Sequence, residues 1–554
     1  MEKRIRLLDC TLRDGAYINK SQFGANAIRG IIKRLADAKI DIIECGWLKN
    51  DPHVEGNSYY HEPSDLRRYL QGKDPAATYV VMIDYDRYDL KYLTPCDGTS
   101  FDAVRVVFPR GKAAEGCEVA RRIRDKGYRI FLQASNTLGY TDKELLDLID
   151  KANDLKPEGI SVVDTFGAMY PEDLLRILSI FAHNLDPSIK IGFHSHNNQQ
   201  LSFALTMLFT HYMAGQGRGM IVDASLCGMG RGAGNATTEL VASFLNRKYY
   251  GNYDLDLIMN TIDMYMVPCL EKYKWGYSIP NYIAGMYCCH VNNISYLLSR
   301  HSASAQEIRS VISSMSPGER VKYDYDLLEE KYVEDQNKEA DDAAAMDELR
   351  AALRARKVLL VAPGKASVTE KAAADAYMAA EHPVVIGVNA FLPQYSYDYM
   401  FLMSKVRYEY AKEAYPRQFA SVPRILLSSV KQQPGPGEYV VRYERAIQRG
   451  WPHFDNPVVC VLRLLDKLGA SDVAIAGFDE FSDKHNESYG DPGIPSMSGY
   501  EDWGALNAEL RSIVVDFRER VRGRMTIKAL TPGSILDDGR QALKLGKGLI
   551  ASRA

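Results

Sequence analysis

Short apolar, β-rich runs recur through the first 230 residues. They are "IRLLD" (5–9), "IDIIECG" (40–46), "TYVVMID" (78–84), "AVRVVF" (103–108), "RIFLQAS" (129–135), "GISVVD" (159–164), "KIGFHSH" (190–196) and "MIVDAS" (220–225). Stretches of helical period such as "AIRGIIKRLADA", "DKELLDLIDKAND" and "PEDLLRILSIFAHNL" separate them. Strands alternating with helices make βα units and a parallel sheet. Eight units over roughly 250 residues predict a (β/α)8 barrel. A further helical segment follows in "KWGYSIPNYIAGMYCCHVNNISYLL" (274–298). A second α/β series then begins at "VLLVAPGKAS". Its strand-like runs are "PVVIGVN", "YMFLMS", "RILLSS", "VVCVLRLLDKLGASDVAIAGFD" and "MTIKALTPG", which predict an open parallel sheet. The expected plan is a barrel over 1–270, a helical extension over 271–318, a charged helical linker over 319–357 and a second α/β domain over 358–554.

In such a barrel, reactive groups lie at the C-terminal ends of strands. Asp9 to Asp14, Glu44, Asp84, Asn136, Asp164, His194, His196 and Asp223 all fall there. In "LLDCTLRDGAYINK", Asp9, Thr11 and Arg13 alternate onto one face of an extended strand end, and Gly15 lets the chain bend. His194 and His196 are two apart on a strand and share a face. Two imidazoles plus the Asp14 carboxylate, with positions open to substrate, form a divalent-metal site. Mg or Mn suits this mixed shell, with Zn, Co or Fe as alternatives. Arg13 beside the metal would stabilise an enolate oxygen; the alternative is a rim salt bridge with Glu44 or Asp164.

Composition narrows the classes. The 554 residues exceed one ordinary core. Hydrophobic content of 46% and charged content of 25% fit a soluble globular protein. A net charge of −3 argues against nucleic acid and anionic membranes as partners. Residues 1–30 show no signal-peptide pattern, and no apolar run reaches about 18 residues. Nine scattered cysteines read as reduced thiols of a cytoplasmic protein.

"LLDCTLRDG", "GFHSHNN" and the glycine-rich "SLCGMGRGAGNATTEL" together resemble the DRE-TIM metallolyase superfamily over about residues 4–310. "VVDTFGAMYPEDL" is most similar to its 4-hydroxy-2-oxovalerate aldolase branch. The resemblance implies Asp14, His194 and His196 as metal ligands and Arg13 as the enolate-holding group. Asn235 matches a ligand position of the lyase branch. Where the aldolase branch has a histidine base, this chain has Tyr17. A tyrosine titrates near 10 against about 6.5 for histidine, so it is the poorer base at neutral pH. Tyr277 and His290, from the following helical segment, are further acid–base candidates, as is Glu44 for the catalytic set.

The turn "VAPGKAS" supplies Gly364, Lys365 and Ser367 as candidate phosphate binders, far short of a P-loop. With "NPVVCVLRLLDKLGASDVAIAGFDEFSDKHN" it loosely resembles the Rossmann-like fold of bacterial sialyltransferases and pterin pyrophosphokinase-like proteins. That implies a nucleotide or nucleotide-sugar near Asn389, Asp479 and His485. The alternative is a degenerate domain that binds a partner or assembles a homo-oligomer. The expected activity is a metal-dependent carbon–carbon lyase or aldolase. It would act through the enolate of pyruvate or another 2-oxo acid, with an aldehyde, ketone or sugar-like electrophile. The competing expectations are a Claisen-type acyl-CoA synthase, a transferase driven by the second domain, and a scaffold with decayed sites.

Overall fold

The structure, a computed structural model, describes residues 4–70, 72–301, 303–482, 489–495 and 502–536. It divides into two compact units at Val291/Asn292, with Arg320–Lys322 returning to the first unit. Among the described residues no helix is long and apolar enough to cross a membrane.

The first unit is a closed barrel of eight strands: β1 (Ile5–Asp9), β2 (Ile42–Leu48), β3 (Thr78–Asp84), β4 (Ala103–Phe108), β5 (Arg129–Ala134), β6 (Gly159–Asp164), β7 (Lys190–Ser195) and β8 (Met220–Ala224). All neighbours are parallel, and β1 closes the ring by pairing with both β8 and β2. The sequence pattern located all eight. Leu8, Ile42, Val80, Ala103, Phe131 and Ile221, from six strands, form one buried cluster with Cys10. Alternation sends these side chains inward, so the barrel is filled rather than hollow. Outside, helices cover the strands with apolar stripes. Helix Ala25–Asp37 buries Ile28, Ile31, Ile32, Leu35 and Ala36, the spacing of one helical face.

The second unit holds a seven-stranded parallel sheet: β9 (Lys357–Val361), β10 (Val384–Val388), β11 (Tyr399–Leu402), β12 (Arg424–Leu427), β13 (Glu438–Val441), β14 (Asp472–Ala476) and β15 (Thr526–Ala529). Their order is β13-β12-β11-β10-β9-β14-β15. The strand order reverses direction between β9 and β14, which makes that junction a topological switch point.

Four points differ between the sequence expectations and the structure. The apolar run before "LGASDVAIAG" is a helix, Pro457–Leu468, started by the Asn456 side chain and ended by Gly469 at φ 78°. Strand β13, which follows the Pro-Gly stretch "QQPGPG", was not among the expected strands. Residues 319–357 are not a free linker. Met346, Leu349 and Leu353 line one face of helix Ala343–Leu353 and join the core formed with Leu462 and Leu465. Its charges lie on the other face. The helical extension is likewise divided, with Ile279–Met286 in the first unit and most of Val291–His301 in the second.

Candidate active site

The strand-end segment after β1 is not extended. Asp9 Oδ1 accepts the Thr11 N–H at 2.9 Å, and its Oδ2 takes the Thr238 hydroxyl at 2.6 Å. With this local side-chain bond the chain turns at once into a single helical turn, Thr11–Asp14. Gly15 has ordinary right-handed angles (φ −62°, ψ −20°), so it is no bend. Glycine is required there by space: a Cβ would lie 2.4 Å from Thr11 O and 2.9 Å from Met229 Sδ.

That turn sets Arg13 and Asp14 side by side. Arg13 Nη1 donates to Asp14 Oδ1 at 2.5 Å and its Nε to Glu44 Oε2 at 2.8 Å. Trp47 Nε1 donates to Arg13 O at 3.2 Å, and the guanidinium lies 5.8 Å from the Trp47 ring centre. Arg13 is 5% exposed.

The end of β7 brings His194 and His196 to the same place. Ligand atoms of Asp14, His194 and His196 lie within 4.8 Å of one another, all buried. His194 Nδ1 lies 3.1 Å from Asp223 Oδ2, so its Nε2 is the nitrogen left for a ligand. Asn235 Nδ2 donates to Asp14 Oδ2 at 2.8 Å. Among the described residues the buried His196 Nδ1 and Asn235 Oδ1 have no hydrogen-bond partner. Burial raises the Asp14 carboxyl, but Arg13, His196 and His194 outweigh it and hold it well below the usual carboxylate range. Burial lowers His196 to about 4, so its ring is neutral with a lone pair free. A carboxylate, two imidazoles and an unpartnered ring nitrogen fit a divalent cation.

A buried chain of charges supports this cluster. Arg105, on β4, donates to Glu44 Oε2 at 2.9 Å and to Asp223 Oδ2. The order is Arg13, Glu44, Arg105, Asp223, His194, and it joins the arginine to the imidazole. Glu44 therefore aligns Arg13 rather than facing the open site. Sequence reasoning missed Arg105; its only signal is one charge inside the otherwise apolar "AVRVVF".

The remaining first-unit candidates separate. Tyr17 is 44% exposed, edge-on to Trp47 at 6.0 Å, with the Arg231 guanidinium 3.9 Å over its ring. Arg231, also missed in the sequence, donates its backbone N–H to Asp14 Oδ2 at 3.4 Å and its Nη1 to His290 Nε2 at 3.4 Å. Burial and Arg231 push His290 down to about 3, so it is neutral and only weakly basic. Tyr277 is 57% exposed and makes none of the hydrogen bonds that join the cluster among the described residues.

In the second unit the glycine turn is already filled. Asp479 Oδ2 accepts the Ala366 N–H at 2.7 Å, where a phosphate oxygen would sit. A Cβ on Gly364 would lie 2.3 Å from Gly477 O. Ser367 is buried with its hydroxyl donated to Gly364 O at 2.7 Å, and Lys365 is exposed. The turn is thus occupied by the protein's own carboxylate. Asn389, at φ 59° after β10, accepts the Met403 N–H at 3.2 Å. His485 lies outside the described residues.

Residues 110–265 match the HMGL-like family model. That matched stretch is an HMGL-like domain within the barrel. The chain is 25% identical over 317 residues to 4-hydroxy-2-oxovalerate aldolase of Bacillus cereus, spanning 55% of this chain and 89% of that protein. It is 28% identical over 267 residues to oxaloacetate decarboxylase of Mycobacterium tuberculosis, spanning 46% and 74%. A solved HMG-CoA lyase from Brucella melitensis is similar at TM-score 0.39 and 17% identity, spanning 49% of this chain and 99% of that one. The HMGL-like domain places the barrel in the DRE-TIM metallolyase superfamily, among carbon–carbon lyases.

Proposed function

We propose that the barrel is a divalent-metal-dependent lyase or aldolase that works through the enolate of pyruvate or a closely related 2-oxo acid. The observation that carries this is the adjacency of Arg13 to the Asp14–His194–His196 cluster. Those three side chains would hold the cation, with Asn235 Oδ1 as a further donor. When bound, such a cation polarises the ketone of a chelated 2-oxo acid.

The chain's own residues then supply the rest. Arg13 has Nε and Nη1 fixed by Glu44 and Asp14, which leaves Nη2 for the oxygen that gains negative charge. In a buried site with little water, that fixed charge acts strongly on the developing enolate. Tyr17, under Arg231 on the open side, is placed to donate a hydrogen bond to a carbonyl electrophile. Mn or Mg is the metal this oxygen-rich substrate favours.

Both relatives' named reactions, aldol cleavage of a 4-hydroxy-2-oxo acid and decarboxylation of oxaloacetate, break a bond at C3 and leave the electron pair as pyruvate enolate. Tyr17 and the weakly basic His290 favour a second reading, decarboxylation, because it removes no hydroxyl proton. The test is deuterium exchange into the methyl group of pyruvate. Exchange should need added Mn or Mg, stop with chelator and vanish in Arg13→Ala. Absence of exchange with every 2-oxo acid tried sinks both readings. Carbon dioxide from oxaloacetate, against aldehyde from a 4-hydroxy-2-oxo acid, separates them.

A further inference from the structure

The second unit contains a cavity that the barrel chemistry does not use. A space of about 170 Å³ adjoins another of about 90 Å³. Both are lined by Asn389, Arg407, Asn456, Pro457, Phe481 and Tyr489. The walls come from the segments just after β9, β10, β11 and β14. That is the C-terminal edge of the sheet at its switch point, where open α/β sheets bind ligands.

Two buried nitrogens in this cavity, Arg407 Nη1 and His301 Nε2, have no hydrogen-bond partner among the described residues. Arg407 stacks 5.2 Å over the Tyr489 ring, and its buried Nη1 has no hydrogen-bond partner. His301, which lines the larger space with a fully buried side chain, stacks 3.8 Å from Tyr332. Its Nδ1 faces Asp455 at 3.4 Å, and its Nε2 has no partner. Buried polar groups normally find partners, so two in one cavity point to a ligand that supplies them. A guanidinium fork matches a phosphoryl group. Phe481, stacked on Trp503 at 6.3 Å, and Tyr489 add aromatic faces.

We infer that this cavity binds a mononucleotide-type ligand, with Arg407 taking its phosphate and the aromatic wall at Phe481 taking its base. The anion is held across the crevice from the glycine turn, because Asp479 occupies the turn itself. This site goes beyond the barrel reading and stands whether or not that reading holds.

The experiment is calorimetric titration of the full-length protein with AMP, GMP, CMP and UMP, and with inorganic phosphate. At least one nucleotide should bind more tightly than phosphate. Arg407→Gln should weaken both nucleotide and phosphate, by on the order of tenfold or more. Phe481→Ala should weaken the nucleotide by on the order of tenfold and leave phosphate unchanged. The Phe481 variant decides the matter even where loss of Arg407 impairs folding, which thermal unfolding reports. No binding of any nucleotide, phosphate binding as tightly as nucleotide, or nucleotide binding indifferent to both substitutions overturns the proposal.

Discussion

Asp223 Oδ2 lies 3.1 Å from His194 Nδ1 and takes the Arg105 guanidinium with the same oxygen. Burial raises this carboxyl, but Arg105 and His194 outweigh it and keep it ionised. An ionised partner fixes the His194 tautomer with the proton on Nδ1 and makes Nε2 the better donor. Asp223→Asn keeps the shape and removes the charge. It should weaken Mn binding by roughly 10- to 100-fold in calorimetry while the fold persists. Unchanged affinity would remove His194 from the ligand set.

Glu44 Oε2 accepts from Arg13 and Arg105 together, at 2.8 and 2.9 Å. Removing its charge leaves two buried guanidinium groups facing one another. Glu44→Gln should therefore cost about 3–5 kcal/mol in urea unfolding, the scale for breaking a buried ion pair. It should also slow pyruvate exchange, since Arg13 loses the group that aims it. A loss confined to stability would mean Arg13 is held well enough by Asp14 alone.

The eight barrel strands were legible because each is a short β-branched run between helical repeats. The Asp14–His194–His196 set was legible because residue parity on a strand decides which side chains share a face. The turn after β1 was not, because a hydrogen bond from the Thr11 amide to the Asp9 side chain overrides the alternation of "DCTLRD". Arg105 was hidden for another reason: its partners lie 61 and 118 residues away, and a lone arginine in a strand reads equally well as an outward-facing one. The same distance problem hid the partner of the glycine turn, Asp479, 113 residues downstream of Ala366.

Gly15 tests that local geometry. With φ −62° an alanine is free of backbone strain, so only space opposes it. Its Cβ would press the Thr11 carbonyl and Met229. Gly15→Ala should destabilise the protein by about 1–3 kcal/mol, the range for overpacking, and lower the exchange rate by shifting Asp14. Gly72, at φ +74° with open space around it, is the control: its alanine variant should show strain alone and leave exchange untouched.

Asp164, buried at the end of β6, gives a pH signature. Burial raises its carboxyl to about 7, although the Ala168 and Met169 amides at 2.9 and 3.2 Å pull it the other way. The native state thus holds this proton more tightly than the unfolded chain, whose aspartate titrates near 4. Between about pH 4 and 7 the native state binds more protons, so this group makes stability fall as pH rises, by at most about 1.4 kcal/mol per unit. Above pH 7 both states are ionised and the dependence ends. Asp164→Asn cannot ionise and loses one amide acceptor, which costs about 1–3 kcal/mol. In urea unfolding its deficit against the wild type should be largest at about pH 4 and shrink by pH 8. A deficit that stays constant would show that the two amides hold Asp164 ionised throughout that range.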